Sequence, residues 1–417
     1  MPSVVVRLMS ARSIILTLVL LGVGGCATAL PQPAAPPVSA STHANQTVDQ
    51  DIQRDGRFIG LAISGGGSRA AVFGGAMLRE LHRFGLLQQV DVISAVSGGA
   101  LPAAYYALDG YRSVDFSNGF LKRMGHDFQS DMRGRFLSPS NLLTYWFTDA
   151  TKSDTVVQVL DEQLFHNATF ADLNPDRPKL LLNATDALTG EPFVISDESF
   201  AGLVLPLPSF SVARAVYMSA AYPGVFNPVP LYGGASSSGS TRRPAVLAYD
   251  GGPVDNLGVK TLVNLLRSAD RSVPVATRFP EGCLIISMDA TPRIAGEQDQ
   301  PLSASTVLLK SQRREVLDGV GIIADQQDHR MFSTFPVNGS QSACTFWHLA
   351  LRQLPDDDPL GARVTRIKTS FGLEASDQDA LIRAAHQLIE QGIKISRETE
   401  ISPAFLREVG SPANTSR

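Results

Sequence analysis

An α/β fold with a mainly parallel sheet, covered by helices on both faces, is predicted by three features of this sequence. Short apolar runs alternate with helical stretches from Phe58 onward. The runs are near-continuous in apolar residues, as strands buried on both faces are. Glycine-rich or Asp-Gly turns close several of them, where parallel α/β folds place their sites.

The elements follow in order. Phe58–Ile63 is a buried-strand run ended by Ser64-Gly-Gly-Gly67. A helix is expected from Arg69 to about Phe84, with Gly85 suited to the position just past its end. Val90–Ser94 is the next strand and turns through Ala95-Val-Ser-Gly-Gly99 into a helix from Leu101 to Leu108. Lys179–Asn183, Ala245–Tyr249, Cys283–Met288 and Thr345–Leu351 complete a set of six strands. Ser376 and Asp379 read as a capping box for a last helix with Ile382, Ala385, Leu388 and Ile389 on its inner face.

Composition bounds the chain to globular classes. It is 44% hydrophobic and 18% charged, with a net charge of -4 and no block of like charges. Nucleic acid is excluded as a partner, because phosphate binding leaves a basic stripe. Arg7 and Arg12 precede an apolar run, Ile14 to Val23, too short to span a bilayer comfortably. It ends in Gly24-Gly25-Cys26, which looks like a bacterial lipobox: residues 1–25 would be the signal peptide and Cys26 the lipidated residue, anchored to a membrane surface. The absence of Asp after Cys26 resembles an outer-membrane delivery signal, facing the periplasm or the surface. Residues 26–55 read as a disordered tether, rich in Pro, Ala and Ser. A single body is expected over 56–400, with a loose tail over 401–417. For Cys283 and Cys344 two readings stay open, a disulfide and two buried thiols.

Three segments carry chemistry. A serine attacks an ester only when a tight turn presents its hydroxyl beside a base and oxyanion donors. Ala95-Val-Ser97-Gly-Gly99 provides such a strand–serine–helix elbow, with Ala95 where glycine is usual. Ser64-Gly-Gly-Gly-Ser-Arg69 also lies between a strand and a helix, where successive N–H groups cradle an anion. Its rival reading is a dinucleotide fingerprint with Asp91 as the ribose acid, but Asp91 opens its strand where that motif needs an acid at the end. Asp250 ends an apolar strand and is followed by two glycines, either a base at the carboxyl edge or an ordinary Asp-Gly turn.

Taken together, Gly65-Gly-Gly-Ser-Arg69, Ala95-Val-Ser-Gly-Gly99 and Asp250-Gly-Gly252 resemble the patatin-like phospholipase family in order and separation. Asn183–Gly190 and Ala213–Phe226 resemble it too. The resemblance implies a three-layer α/β/α sandwich and a serine ester hydrolase cutting lipid esters. Ser97 would be the nucleophile and Asp250 its base. Gly65, Gly66 and Gly67 would form the oxyanion hole, with the N–H groups of Gly66 and Gly67 holding the oxyanion. Arg69 would orient that loop or draw in an anionic headgroup. Ala95 and Ala70 depart from the family's glycines.

Alternatives remain. A Ser-His-Asp triad needs a histidine after the acid, and His329, His348 and His386 follow Asp250, with His329 in the most polar setting. Asp186 is a rival acid, although Asn183–Gly190 reads more easily as a structural hairpin turn. A lipoprotein that binds lipid without turnover is a further alternative. Asn141–Phe147 is an aromatic patch, lid or core, and the loop Gly233–Ser240 is a gate or a surface crossing. No metal-ligand spacing occurs, and neither metal nor cofactor is expected. Membrane lipid is the expected partner and substrate.

Overall fold

The computed structural model describes residues 55–108, 116, 119–136, 138, 152–234, 243–268, 274–291, 331–336, 343–355 and 357–410. All lie in the unit that runs from Gln46 to Arg417. The expected signal peptide, Cys26, nearly all of the expected tether 26–55, the aromatic patch 141–147, most of the loop 233–240 and His329 fall outside the described residues.

Among the described residues, nine strands form one mixed sheet. They are β1 (Arg57–Ile63), β2 (Val92–Val96), β3 (Lys179–Asp186), β4 (Pro192–Ile195), β5 (Val229–Leu231), β6 (Val246–Asp250), β7 (Gly282–Asp289), β8 (Phe332–Pro336) and β9 (Ala343–Ala350). The helices that frame the site are α1 (Gly67–Arg83), α2 (Ala100–Ala107), α3 (Phe128–Phe136), α4 (Lys152–Leu160), α5 (Val212–Ala220), α6 (Val259–Ser268) and α7 (Ala375–Glu398).

The central strands β3-β2-β1-β7-β9 are parallel. Their side chains divide between two cores, which is why the sequence shows runs and not alternation. Ile59, Leu61, Ile63, Ile93, Leu284 and Trp347 pack in one cluster with residues of α1, α2, α5 and α7. Phe58, Ala62, Val92, Ile285 and Phe346 pack in the other, with Leu262 and Leu266 of α6. The three-layer sandwich therefore holds, but the sheet is parallel only at its centre: β4, β6 and β8 run antiparallel to their neighbours.

That exception places the site. Leu182 and Asn183 pair with both β2 and β4, so these two strands flank opposite edges of β3. Ala184 and Thr185 pair with both β4 and β6, so β6 lies on the β2 edge. β2 and β6 thus share one lane beside β3 and run head to head. One ends at Val96 beside Asn183, and the other ends at Asp250 beside Ala184. Asp250 reaches the carboxyl edge from the opposite direction to the parallel strand anticipated for it.

Two further expectations are corrected. The last helix starts at Ala375 with Glu374 as its N-cap and no side-chain cap. Ser376 is engaged elsewhere, accepting a hydrogen bond from Arg363 Nη2 at 2.6 Å. Residues 401–410 are not loose: Leu406 is fully buried on a short helix, and Val409 O accepts from Arg397 Nη2 at 2.7 Å. Apolar side chains there have a core to enter, which no local periodicity announces.

Cys283 and Cys344 form a disulfide between the neighbouring strands β7 and β9, with 4.8 Å between their Cα atoms. Their separation of 61 residues sets the expected stabilisation at about 4 kcal/mol through restriction of the unfolded chain. Urea unfolding with and without reductant should show a loss of that order, and so should Cys344→Ser. An unchanged midpoint under reductant would leave the bond without a stabilising role.

Candidate functional site

Ser97 sits where β2 turns through Ser97–Gly99 into α2, with φ 52°. A left-handed serine is strained, and the strain is characteristic of a nucleophile held on a sharp elbow. Packing explains the glycine after it. A Cβ on Gly98 would be driven into the backbone of Gly67, so the elbow and the glycine loop touch main chain to main chain. Gly98→Ala is therefore expected to push the two apart and lower kcat/KM by about 10² or more, since ångström displacements have that effect. Circular dichroism and ester hydrolysis of the variant would check it; near-normal turnover would mean that the loop yields freely.

Ser97 Oγ donates to Asp250 Oδ2 at 2.8 Å. The other carboxylate oxygen, Oδ1, accepts from Gly252 N–H at 2.7 Å. Asp250 is 3% exposed. Burial pushes its carboxyl up to about 6, against the opposing pull of the Gly252 and Ser97 hydrogen bonds. A carboxylate with a pKa near neutrality and a 2.8 Å hold on a hydroxyl can accept its proton.

Behind the elbow lies a buried polar network that no motif signalled. Ser97 N–H donates to Ser219 Oγ at 2.9 Å, which donates to Asn183 O at 2.6 Å. Asn183 Nδ2 donates to Ser94 Oγ and Ala95 O, and Thr261 Oγ1 donates to Asn183 Oδ1. Thr185 Oγ1 donates to Asp250 O at 2.9 Å. Both strand ends are thereby fastened to β3. Asn183 and Ser219 fall within segments singled out in the sequence, but their partners come from distant elements.

The glycine loop leads into α1, with Gly66 at φ 139° and Gly67 at φ 59°. Their N–H groups stand at the start of a 17-residue helix, where backbone donors have no intrahelical partner and the dipole favours negative charge. Gly65 is different: its N–H donates to Asn256 O at 2.9 Å, so it is not a free oxyanion donor as expected.

Arg69 resolves one of its two readings. It is 2% exposed, with Nε donating to Ala290 O at 2.6 Å, Nη1 to Ile367 O at 2.6 Å and Nη2 to Thr369 Oγ1 at 3.1 Å. It ties the loop to Ala290, Ile367 and Thr369, which enclose its guanidinium. Burial lowers its pKa to about 10, with Asp289 opposing. Ser68 N–H donates to Ser370 O at 2.8 Å, so the segment 367–370 walls the glycine loop. Its sequence carries no signal.

Above Ser97 and Asp250 opens a cavity of about 450 Å³, walled by Phe128, Met132, Val156, Leu160, Phe226 and Phe371. A larger one, about 980 Å³, lies at the amino edge near Asp91, Arg177 and Lys179, and its lining includes neither Ser97 nor Asp250. Asp91 there accepts from Ile59 N–H at 2.7 Å, a structural contact far from the glycine loop.

Of the other candidates, those among the described residues are not brought to Ser97. His348 is buried beside Asp289, Nε2 to Oδ2 at 3.6 Å, and His386 lies against Glu80 Oε2 at 3.0 Å. Asp186 staples the hairpin turn, accepting from Leu188 N–H, Leu247 N–H and Thr189 Oγ1. Among the described residues no cluster of potential metal ligands occurs.

Residues 61–263 match the family model of patatin-like phospholipases. The chain is 29% identical over 224 residues to the uncharacterized protein YqhO of Bacillus subtilis, covering 52% of this chain and 69% of that one. Among solved structures, human GIVD cytosolic phospholipase A2 is similar at a TM-score of 0.48 and 13% identity, over 84% of this chain and 61% of that one. VipD from Legionella pneumophila is similar at 0.37 and 13%, over 81% and 67%. This chain thus spans about three fifths of the human enzyme's length.

Proposed function

We propose that this protein, whose residues 61–263 are a patatin-like phospholipase domain, is a lipid acyl hydrolase working through a Ser97–Asp250 dyad. The observation that carries the reading is the 2.8 Å hydrogen bond from Ser97 Oγ to a buried carboxylate, beneath an apolar cavity.

Asp250 takes the hydroxyl proton as Ser97 Oγ bonds to the ester carbonyl carbon. The carbonyl oxygen becomes an oxyanion that meets the N–H groups of Gly66 and Gly67 at the α1 terminus. Collapse breaks the ester C–O bond, and the departing alcohol receives the proton from Asp250. Water then attacks the acyl-Ser97 carbonyl and gives its proton to Asp250. The fatty acid leaves as that proton returns to Ser97 Oγ. Two residues suffice because the base holds the nucleophile directly, with no histidine between them.

Incubating the folded full chain with a fluorophosphonate tests this. An adduct on the Ser97 peptide, with p-nitrophenyl ester hydrolysis lost in step, is expected. No adduct would favour a lipid-binding protein without turnover. His329→Ala is expected to keep its activity, and inactivation would favour a triad.

The lipobox-like ending at Cys26 supports anchoring to the bacterial envelope. Among the described residues no helix is long and apolar enough to cross a membrane. Expression in a Gram-negative host with Cys26→Ala is expected to release the protein from the membrane fraction.

A further inference from the structure

We propose that the site prefers esters of uncharged alcohols, such as acylglycerols, over esters whose alcohol carries an anionic phosphate. This rests on the Ser97–Asp250 reading and names the substrate class of that site.

The first ground is the fate of Arg69. It is the cation of the glycine loop, and its guanidinium is enclosed by Ala290 O, Ile367 O and Thr369 Oγ1. At 2% exposure it offers nothing to a phosphate. The second ground is the wall. Among the described residues lining the cavity, Asp250 is the one charged side chain, and the rest are apolar groups, glycines, hydroxyls and the phenols of Tyr217 and Tyr222. The third is the field. Among the described residues, the causes that set the Asp250 carboxyl are burial and two hydrogen bonds, with no cation among them. Its negative charge reaches Tyr222 in the cavity wall, whose phenol is held up by burial and by Asp250.

That charge does not disappear during the reaction. When Asp250 takes the Ser97 proton, the negative charge moves to the oxyanion, so the site carries one negative charge throughout. A phosphate a few bonds from the ester oxygen meets it in ground state and transition state alike. At an effective dielectric of about 20 and roughly 8 Å, the repulsion corresponds to more than tenfold in rate. An uncharged glycerol or alkyl group meets none, and the acyl chain finds the same apolar wall in either case.

The test uses the full chain in neutral-detergent micelles with a matched pair, 1-oleoylglycerol and 1-oleoyl-lysophosphatidic acid. We expect kcat/KM at least tenfold higher for the glycerol ester, with the gap narrowing as salt is raised. Val225→Arg adds a cation at a position that lines the cavity and is 61% exposed. It should raise the rate on the phosphate ester relative to the glycerol ester. Equal or faster hydrolysis of the phosphate ester by the wild type would overturn the preference while leaving the hydrolase reading intact. No hydrolysis of either, with no fluorophosphonate adduct, would overturn the hydrolase reading and the preference with it.

Discussion

Ser97→Ala is expected to lower kcat/KM by a factor on the order of 10⁴ to 10⁶, the range seen when the nucleophile of a serine hydrolase is removed. The substitution deletes one oxygen and little else. The backbone bond from the N–H of residue 97 to Ser219 Oγ is retained, as is the Asp250 bond to Gly252. The elbow should keep its shape, so binding of lipid is expected to survive while turnover is lost. Hydrolysis of p-nitrophenyl acyl esters, run beside a thermal melt, separates the two. Activity within tenfold of wild type in a folded Ser97→Ala protein would mean that the elbow is structural and that the nucleophile lies elsewhere.

Asp250→Asn is expected to move activity and stability in opposite directions. As an acceptor of the Ser97 proton, asparagine is useless, and a loss on the order of 10⁴ follows by analogy with removal of the acid in a triad. The stability change comes from burial. The folded carboxyl has a pKa of about 6 against an ordinary 3.8, so folding favours the protonated form. That contribution is fully present below about pH 4 and is lost as pH rises through 6. At pH 8 the buried charge costs up to about 3 kcal/mol, from roughly two pKa units at about 1.4 kcal/mol each. Asparagine removes the charge and can still accept from Gly252 N–H. The variant should melt above wild type at pH 8 and near it at pH 4. The same titration shapes the wild-type rate, because only the ionised carboxyl accepts the proton: kcat/KM should fall tenfold per pH unit below about 6. A variant less stable than wild type at pH 8 would show that the carboxylate's hydrogen bonds outweigh its desolvation.

What could be read from the chain alone was whatever depends on neighbours in sequence. Strands β1, β3, β7 and β9 were legible because both their faces are buried, which leaves unbroken apolar runs. The elbow and the glycine loop were legible because a strand, small residues and a helix start follow one another within a few positions. Asp250 was picked out by an Asp-Gly-Gly turn at a strand end, although a parallel strand was expected there and β6 runs the other way. Direction within a sheet is set by which edge accepts the strand, and short apolar runs do not encode it.

Tertiary structure alone decided how the backbone and side-chain donors are used. Gly65 and its neighbours are chemically alike, but Asn256 comes close enough to take the Gly65 N–H and leaves Gly66 and Gly67 at the helix terminus. Arg69 had two readings until the carbonyls of Ala290 and Ile367, 221 and 298 positions away, enclosed it. The segment 367–371, the Asn183–Ser219 network and the buried Leu406 carried no local signature, because each is defined by contacts across the fold. The raised pKa of the Asp250 carboxyl comes from burial, and its hydrogen bond with Ser97 Oγ comes from a strand arriving from the opposite direction; both are properties of the packed sheet and not of any stretch of residues within it.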